Sequence, residues 1–231
     1  MKNELTIVIP CKNEENYIGD LLKSLKNQKD ISGVSIIIAD AGSKDNTLSI
    51  INEYTKYLKI KLVKGGLPAI GRNKGLNSSK TKWTLFIDAD IIIKQNDFIS
   101  NVLEFTKKYD LDILGSKLNS KDLKTKLIYK LNNLLVKLSF FDKPFIVGSF
   151  CLVKTDIAKR LGGFPTNALH CEDYLFSKKF NKNKAGLFKG YVWTDNRRFI
   201  KMGYLKMCLY VLKNIKMRNN ESYFEKNVNY W

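Results

Sequence analysis

Leu5-Thr6-Ile7-Val8-Ile9-Pro10-Cys11-Lys12-Asn13-Glu14 begins with a β-branched apolar run that stops at a proline and gives way to polar residues. Helical spacing follows at Ile18, Leu21, Leu22 and Leu25, then a second apolar run from Val34 to Ala39, then helical spacing again at Leu48, Ile51 and Tyr54. Short β-branched runs suit buried strands, and apolar residues three and four apart suit one face of a helix. Further runs at Ile60 to Val63 and Trp83 to Ile87 continue the alternation. Strands alternating with helices imply right-handed βαβ units, hence an α/β fold with a mainly parallel, nucleotide-binding type of sheet flanked by helices.

The second half is less regular. Between Asp122 and Leu138 the apolar residues Leu123, Leu127, Leu131, Leu134, Leu135 and Leu138 interleave with Lys124, Lys126, Lys130 and Lys137. This is the pattern of an amphipathic helix. A second such helix, Tyr204 to Met217, carries Leu205, Cys208, Leu209, Leu212 and Ile215. Each stripe has two readings: it packs on the core, or it lies on an anionic membrane with its lysines at the headgroups. The expected organisation is one compact domain over residues 1–200 and a basic amphipathic helical extension over 201–231.

Composition narrows the field. At 231 residues, 44% of them hydrophobic, the chain is long enough to bury a substantial single core. Against 22 acids stand 40 lysines and arginines, a formal charge of +18. That charge attracts anions: nucleic acid, an anionic membrane surface, or a nucleotide or lipid-phosphate substrate. Cys11, Cys151, Cys171 and Cys208 are widely spaced and His170 is the only histidine, so neither a zinc site nor a disulfide framework is indicated. The run ending at Pro10 is too short for a signal peptide, and no apolar stretch nears the roughly 18 residues of a membrane span. The expected location is the cytoplasm, with the basic stripes allowing peripheral attachment to the inner face of the membrane.

In open parallel sheets, ligands bind beyond the carboxyl ends of the strands. Pro10, Asn13 and Glu14 follow the first strand, Asp40-Ala41-Gly42-Ser43 the second, and Asp88-Ala89-Asp90 the run ending at Ile87. Alternate residues leave a strand on the same side, so Asp88 and Asp90 can present their carboxylates together. Such a pair repels itself unless protons or a cation neutralise it, and its oxygens suit Mg²⁺ or Mn²⁺. Asp40 can accept the N–H groups of a uracil or guanine, whereas Ser43 or Asp45 can simply cap the next helix. Gly65 to Gly75 reads as a glycine-rich, flexible basic turn feeding a helix, in which Arg72 can pair with phosphate or stack on a base.

Gly148-Ser149-Phe150 and Gly162-Gly163-Phe164-Pro165 bracket a strand and a short helix. Glu172 and Asp173 then start another helix, where adjacent acids serve either the helix dipole or catalysis as a base. His170 alone reads as a polar loop residue without a role.

In their order these blocks resemble the inverting family 2 glycosyltransferases of the GT-A fold. The resemblance is carried by Ile7-Val8-Ile9-Pro10 with Asn13-Glu14-Glu15, by Asp40-x-Gly42-Ser43-x-Asp45-x-Thr47, and by Gly71-Arg72-Asn73-x-Gly75. Phe86-Ile87-Asp88-Ala89-Asp90, Gly148-Ser149-Phe150-x-x-Val153, Gly162-Gly163-Phe164 and Glu172-Asp173 complete it.

The resemblance implies a less regular, acceptor-side second half. It implies a UDP- or GDP-linked sugar donor, and an acceptor glycan or lipid-linked sugar. By position, Pro10, Asn13, Glu14 and Asp40 would line the base pocket with Arg72 nearby. Asp88 would approach the ribose, Ala89 would border the nucleotide sugar, and Asp90 with Asp88 would hold Mn²⁺ or Mg²⁺ on the diphosphate. Gly148, Ser149, Gly163 and Glu172 would border the donor sugar or acceptor, and Asp173 would be the general base. Arg197-Arg198 resembles a basic pair of some members; it would bind phosphate or stand solvated.

Three rivals remain. A nucleic-acid-binding protein fits the charge but leaves the acids at the strand ends unused and shows no known module. A nucleotidyltransferase also joins paired carboxylates to Mg²⁺ but would release pyrophosphate, and the first strand end lacks a glycine-rich cationic signature. An inactive homologue that only binds sugar nucleotides would have no use for Asp173.

Overall fold

The computed structural model describes residues 1–226, so the last residues of the expected extension, 227–231, lie outside the described part. Strand β1 (Leu5–Cys11) leads through α1 (Ile18–Lys26) to β2 (Ser35–Asp40), and α2 (Thr47–Tyr54) leads on to β3 (Lys59–Lys64). Helix α3 (Pro68–Ser78) returns the chain to β4 (Trp83–Ile87). Next come β5 (Ile91–Ile92), α4 (Phe98–Lys108), β6 (Ile113–Asn119) and α5 (Leu123–Ser139). They are followed by β7 (Phe150–Lys154), α6 (Thr155–Arg160), α7 (Glu172–Ser177), β8 (Ala185–Thr194), α8 (Arg197–Met202) and α9 (Tyr204–Lys216).

The strands form one sheet in the order β3-β2-β1-β4-β7-β6-β8-β5. Parallel pairs join β3, β2, β1 and β4, and also β6 and β8, while β7 runs antiparallel to β4 and β6. Alternation along each strand divides the core between the two faces. Ile7, Ile9, Ile36 and Ile38 pack with Leu21 and Leu22 of α1 and Phe98 of α4. Val8, Ile37 and Phe86 pack on the other side with Ala69 and Leu76 of α3 and Phe176 of α7. Each of these large apolar side chains, removed from water, contributes about 1.5–3 kcal/mol.

Register explains where the site falls. Cys11 pairs with Asp40 and Asp40 with Lys64, so β1, β2 and β3 end on one line. Val8 pairs with Phe86, which brings Asp88 to the level of Pro10 on the same edge. Ile87 faces Phe150 in the antiparallel strand, so Gly148 and Ser149 arrive where β4 leaves off. The Asp88 N–H donates to the Ser149 carbonyl at 3.1 Å.

The structure corrects two expectations. The stretch from Gly65 to Gly75 is not a flexible turn: Pro68 occupies the first turn of α3, and Gly71 and Gly75 are buried. A Cβ on Gly75 would stand 2.2 Å from Val8 Cγ1, so the bare backbone lets α3 lie directly on β1. That packing offsets the helix penalty of a glycine, about 1 kcal/mol.

The leucine stripes, in turn, do not pack on the core. Leu123, Leu127, Leu131, Leu134 and Leu138 are 49–69% exposed, and Leu205, Leu209, Leu212 and Ile215 are 43–74% exposed. Helix α5 buries Thr125 and Val136 instead, and α9 buries Met207. No helix among the described residues is long and apolar enough to cross a membrane.

Candidate active site

Arg72 points from α3 into the protein and is 3% exposed. Its Nη2 donates to Asp88 Oδ1 at 2.7 Å and its Nη1 to Glu172 Oε1 at 2.6 Å. Burial alone would lower its pKa, but Asp88, Glu172 and Asp173 outweigh burial and raise it. Arg72 Nε and Ser149 Oγ are buried without a hydrogen-bond partner among the described residues. That is polar capacity the fold itself does not use.

Asp173 follows Glu172 in the first turn of α7. Its Oδ2 accepts from the Gly148 N–H at 3.0 Å and its Oδ1 from the Tyr174 N–H at 2.8 Å. A Cβ on Gly148 would stand 3.1 Å from Arg72 Nη2 and 3.2 Å from Asp173 Cβ, so this glycine lets three chain segments converge. Burial, and then the charge of Glu172, push the Asp173 carboxyl up to about 6, against the Gly148 N–H and Arg72. Such a group is ionised at neutral pH and still basic enough to take a proton. Cys171, just ahead of α7, has φ 54, an uncommon left-handed conformation for a residue other than glycine.

His170 is fully buried, which corrects its reading as an idle loop residue. Its Nδ1 lies 3.0 Å from Tyr210 Oη and its Nε2 3.3 Å from the Tyr223 carbonyl. Burial lowers its pKa. It ties the approach to Glu172 and Asp173 to α9 and to the 3-10 turn Glu221–Glu225.

Asp90 is 7% exposed. Arg197 holds both oxygens of Glu14, at 2.7 and 2.9 Å, and reaches Asp90 Oδ2 at 3.2 Å. Its guanidinium also lies 4.4 Å from the centre of the Tyr17 ring. Arg198 Nη2 stands 3.9 Å from Asp88 Oδ2. The basic pair is therefore turned onto the acids and is not a solvated pair. Burial raises the pKa of Asp90, with Arg198 opposing and Asp88 adding to it.

Among the described residues no three His, Cys, Asp or Glu side chains converge as a self-sufficient metal centre. Asp88 and Asp90 nonetheless supply the hard oxygen donors that suit Mg²⁺ or Mn²⁺ when phosphate oxygens of a substrate complete the shell. Arg197 and Arg198 meet these two acids here, so an ion held by the carboxylates would take their place and leave the two guanidinium groups to the phosphates. The residues fit such an ion.

The remaining predicted residues form a neighbouring group joined to this cluster through Glu14, whose N–H donates to Thr47 Oγ1 at 2.7 Å. Asp40 accepts from the Gly42 N–H at 2.9 Å and from the N–H and hydroxyl of Ser43. Asn13 receives a bond from the Lys44 N–H and donates its own N–H to Ser43 Oγ, both at 2.9 Å. Asp45, not Ser43, accepts from the Thr47 N–H that opens α2, at 3.0 Å. Asp40 also lines an open hollow of about 500 Å³ with Gly42, Leu62, Lys64, Gly65 and Gly66. Pro10 packs beside Gly71.

Gly163 is not brought to the cluster. A Cβ there would stand 2.4 Å from Asn73 Oδ1. Asn73 exchanges bonds of 2.7 and 2.8 Å with the Phe164 backbone and pins that turn to α3. Sequence reasoning missed Asn73 in this role, and it missed Tyr17 and Tyr210. Tyr17 carried a signal, an aromatic three residues after Glu14, and Asn73 stood in the Gly71-Arg72-Asn73 block without a role of its own.

Comparison with known proteins adds to this geometry. The family described as Glycosyl transferase family 2 matches residues 6–162. A poly(ribitol-phosphate) beta-glucosyltransferase of Bacillus spizizenii is 31% identical over 184 residues, covering 75% of this chain and 29% of that protein. The structure of Staphylococcus aureus TarS 1-349 in complex with UDP-GlcNAc superposes with a TM-score of 0.65 at 22% identity, covering 83% of this chain and 58% of that one. A mannosyltransferase from Pyrobaculum calidifontis in complex with GDP-Man and Mn²⁺ gives 0.67 at 18% identity, covering 84% and 57%. These two likenesses are of fold, and the chain spans under two thirds of each of these proteins. With most of its length matched by the family, this chain belongs to glycosyl transferase family 2.

Proposed function

We propose that this chain transfers a sugar from a UDP- or GDP-linked donor to an acceptor hydroxyl, with inversion at the anomeric carbon. The observation that carries the proposal is the convergence, around Arg72, of Asp88 and Glu172 with an Asp173 carboxyl raised to about 6. The UDP-GlcNAc and GDP-Man complexes of the two similar structures support a nucleotide-sugar donor.

In this reading Asp173 takes the acceptor hydroxyl proton as that oxygen attacks the anomeric carbon from the face opposite the diphosphate. The bond from that carbon to the diphosphate oxygen breaks, and its electron pair leaves with the diphosphate. A base so placed contributes roughly 100-fold to 10,000-fold. Mg²⁺ or Mn²⁺, held by Asp90 with Asp88, would neutralise the charge gathering on the leaving group. Arg197 and Arg198 are near enough to Asp90 and Asp88 to exchange those acids for phosphate oxygens. Pro10, Asn13, Glu14 and Asp40 border the nucleotide base, and Gly148, Ser149 and Glu172 the sugar. The acceptor is a glycan or lipid-linked sugar met on the side of α7, next to a helical extension that begins near residue 201.

The test is product analysis on a panel of UDP- and GDP-sugars with Mn²⁺. Release of the nucleoside diphosphate, abolished by Asp173→Asn, is expected. Release of pyrophosphate, or turnover that survives Asp173→Asn near its normal rate, would overturn the assignment.

A further inference from the structure

Helices α5 and α9 are joined by side chains at both ends. At their first turns Tyr204 Oη donates to Asp122 Oδ2 at 2.9 Å and lies 3.2 Å from Thr125 Oγ1. Past their last turns Arg218 pairs with Asp142 at 3.0 Å, and Lys143 Nζ donates to Asn219 Oδ1 at 3.2 Å. Tied at both ends, the two helices run in the same direction along one flank.

Each turns its leucines outward. At about 100° per residue, the five exposed leucines of α5, Leu123, Leu127, Leu131, Leu134 and Leu138, fall within an arc of about 80°, opposite the buried Thr125 and Val136. Leu205, Leu209 and Leu212 stand likewise opposite the buried Met207 of α9. Most of the exposed large apolar side chains of the described residues lie on these helices or directly beside them, as Phe141 does at 80%. An apolar face of this extent marks an interaction surface.

Charge decides the occupant. Helix α5 carries four lysines and α9 three, and neither contains an aspartate or glutamate. Lys124 borders the α5 leucines on one side, and Lys130 and Lys137 on the other. Two copies meeting through this face would set lysine against lysine, because a two-fold interface repeats one patch on both partners. An anionic lipid surface accepts both features: leucines enter the acyl boundary while lysines meet the phosphates.

We infer that α5 and α9 form the face by which this chain lies on an anionic lipid bilayer. The inference stands on exposure and charge, independently of the sugar-transfer reading. It has a consequence for that reading. Tyr210 of α9 touches His170, and Tyr174 Oη donates to the Arg218 carbonyl, so the docked flank borders the segment bearing Glu172 and Asp173. A lipid-borne acceptor would reach the site at its rim.

The test is co-sedimentation with vesicles of phosphatidylcholine alone and with added phosphatidylglycerol, at low and high salt. It compares the native chain with a Leu131→Ser/Leu212→Ser variant, whose changes are at exposed positions and are expected to leave the melting curve intact, which thermal unfolding checks first. Binding is expected only to the anionic vesicles, weakened by salt. The variant should bind more weakly by about tenfold for each leucine withdrawn. The inference is overturned if the native chain stays in the supernatant at low salt, or if the variant binds equally well. It is overturned as well if sedimentation velocity shows a dimer that the same two substitutions dissolve.

Discussion

Arg72 compensates two carboxylates that the chain brings from opposite directions, Asp88 at 2.7 Å and Glu172 at 2.6 Å. Removing one partner of a buried ion pair strands the others, at a cost of about 3–5 kcal/mol. Arg72→Met is therefore expected to lose that much stability in chemical denaturation, and Arg72→Lys most of it, since one ammonium does not reproduce the fork. An unchanged midpoint in Arg72→Met would mean that the acids do not depend on it.

Asp173 makes a separate prediction. Its carboxyl is raised to about 6 by burial and Glu172, so the base form grows as pH rises toward that value. Turnover should climb about tenfold per pH unit below about 6 and level off above it, and a flat profile there would remove Asp173 from the role. The identities of Asp88, Asp90 and Asp173 were legible as acids at a strand end and a helix start. Their shared arginine was not, because no local pattern links position 72 to position 172.

Among the elements, α3 shows most plainly how packing sets aside composition. Strands β1, β2 and β4 were readable from β-branched runs, since a strand buried on both faces has little choice but to be apolar throughout, and the edge strand β3 from the shorter run Ile60 to Val63. Helix α3 was hidden, because its glycines at 71 and 75 read as a loop when their contacts with Pro10, Ala39 and Val8 are unknown. Gly75→Ala should destabilise the fold by about 1–3 kcal/mol despite alanine's better helix propensity, because its methyl meets Val8. Val8→Ala restores that room. The double variant should then lose less in thermal unfolding than the two single losses added together, and strict additivity would show that the two sites do not touch.

At the scale of the whole molecule, one sheet edge collects residues from β1, β2 and β4 and from the start of β7, while α7 closes on them from the second half. Register made the first of these predictable, since parallel strands end together. The antiparallel entry of β7 and the exposure of the α5 and α9 leucines were not predictable, because periodicity defines an apolar arc without saying what it meets. The central claim is that this edge binds a nucleoside diphosphate through an ion held by Asp88 and Asp90. Thermal unfolding with a panel of nucleoside diphosphates, in Mn²⁺, Mg²⁺ or chelator, tests it on the native chain and on Asp90→Asn. At about 100 times its dissociation constant a ligand adds roughly 2.7 kcal/mol, or about 5–11 °C for a chain of this size. A metal-dependent rise with one nucleotide, absent in Asp90→Asn, is the result expected, and no rise with any nucleotide would contradict the claim.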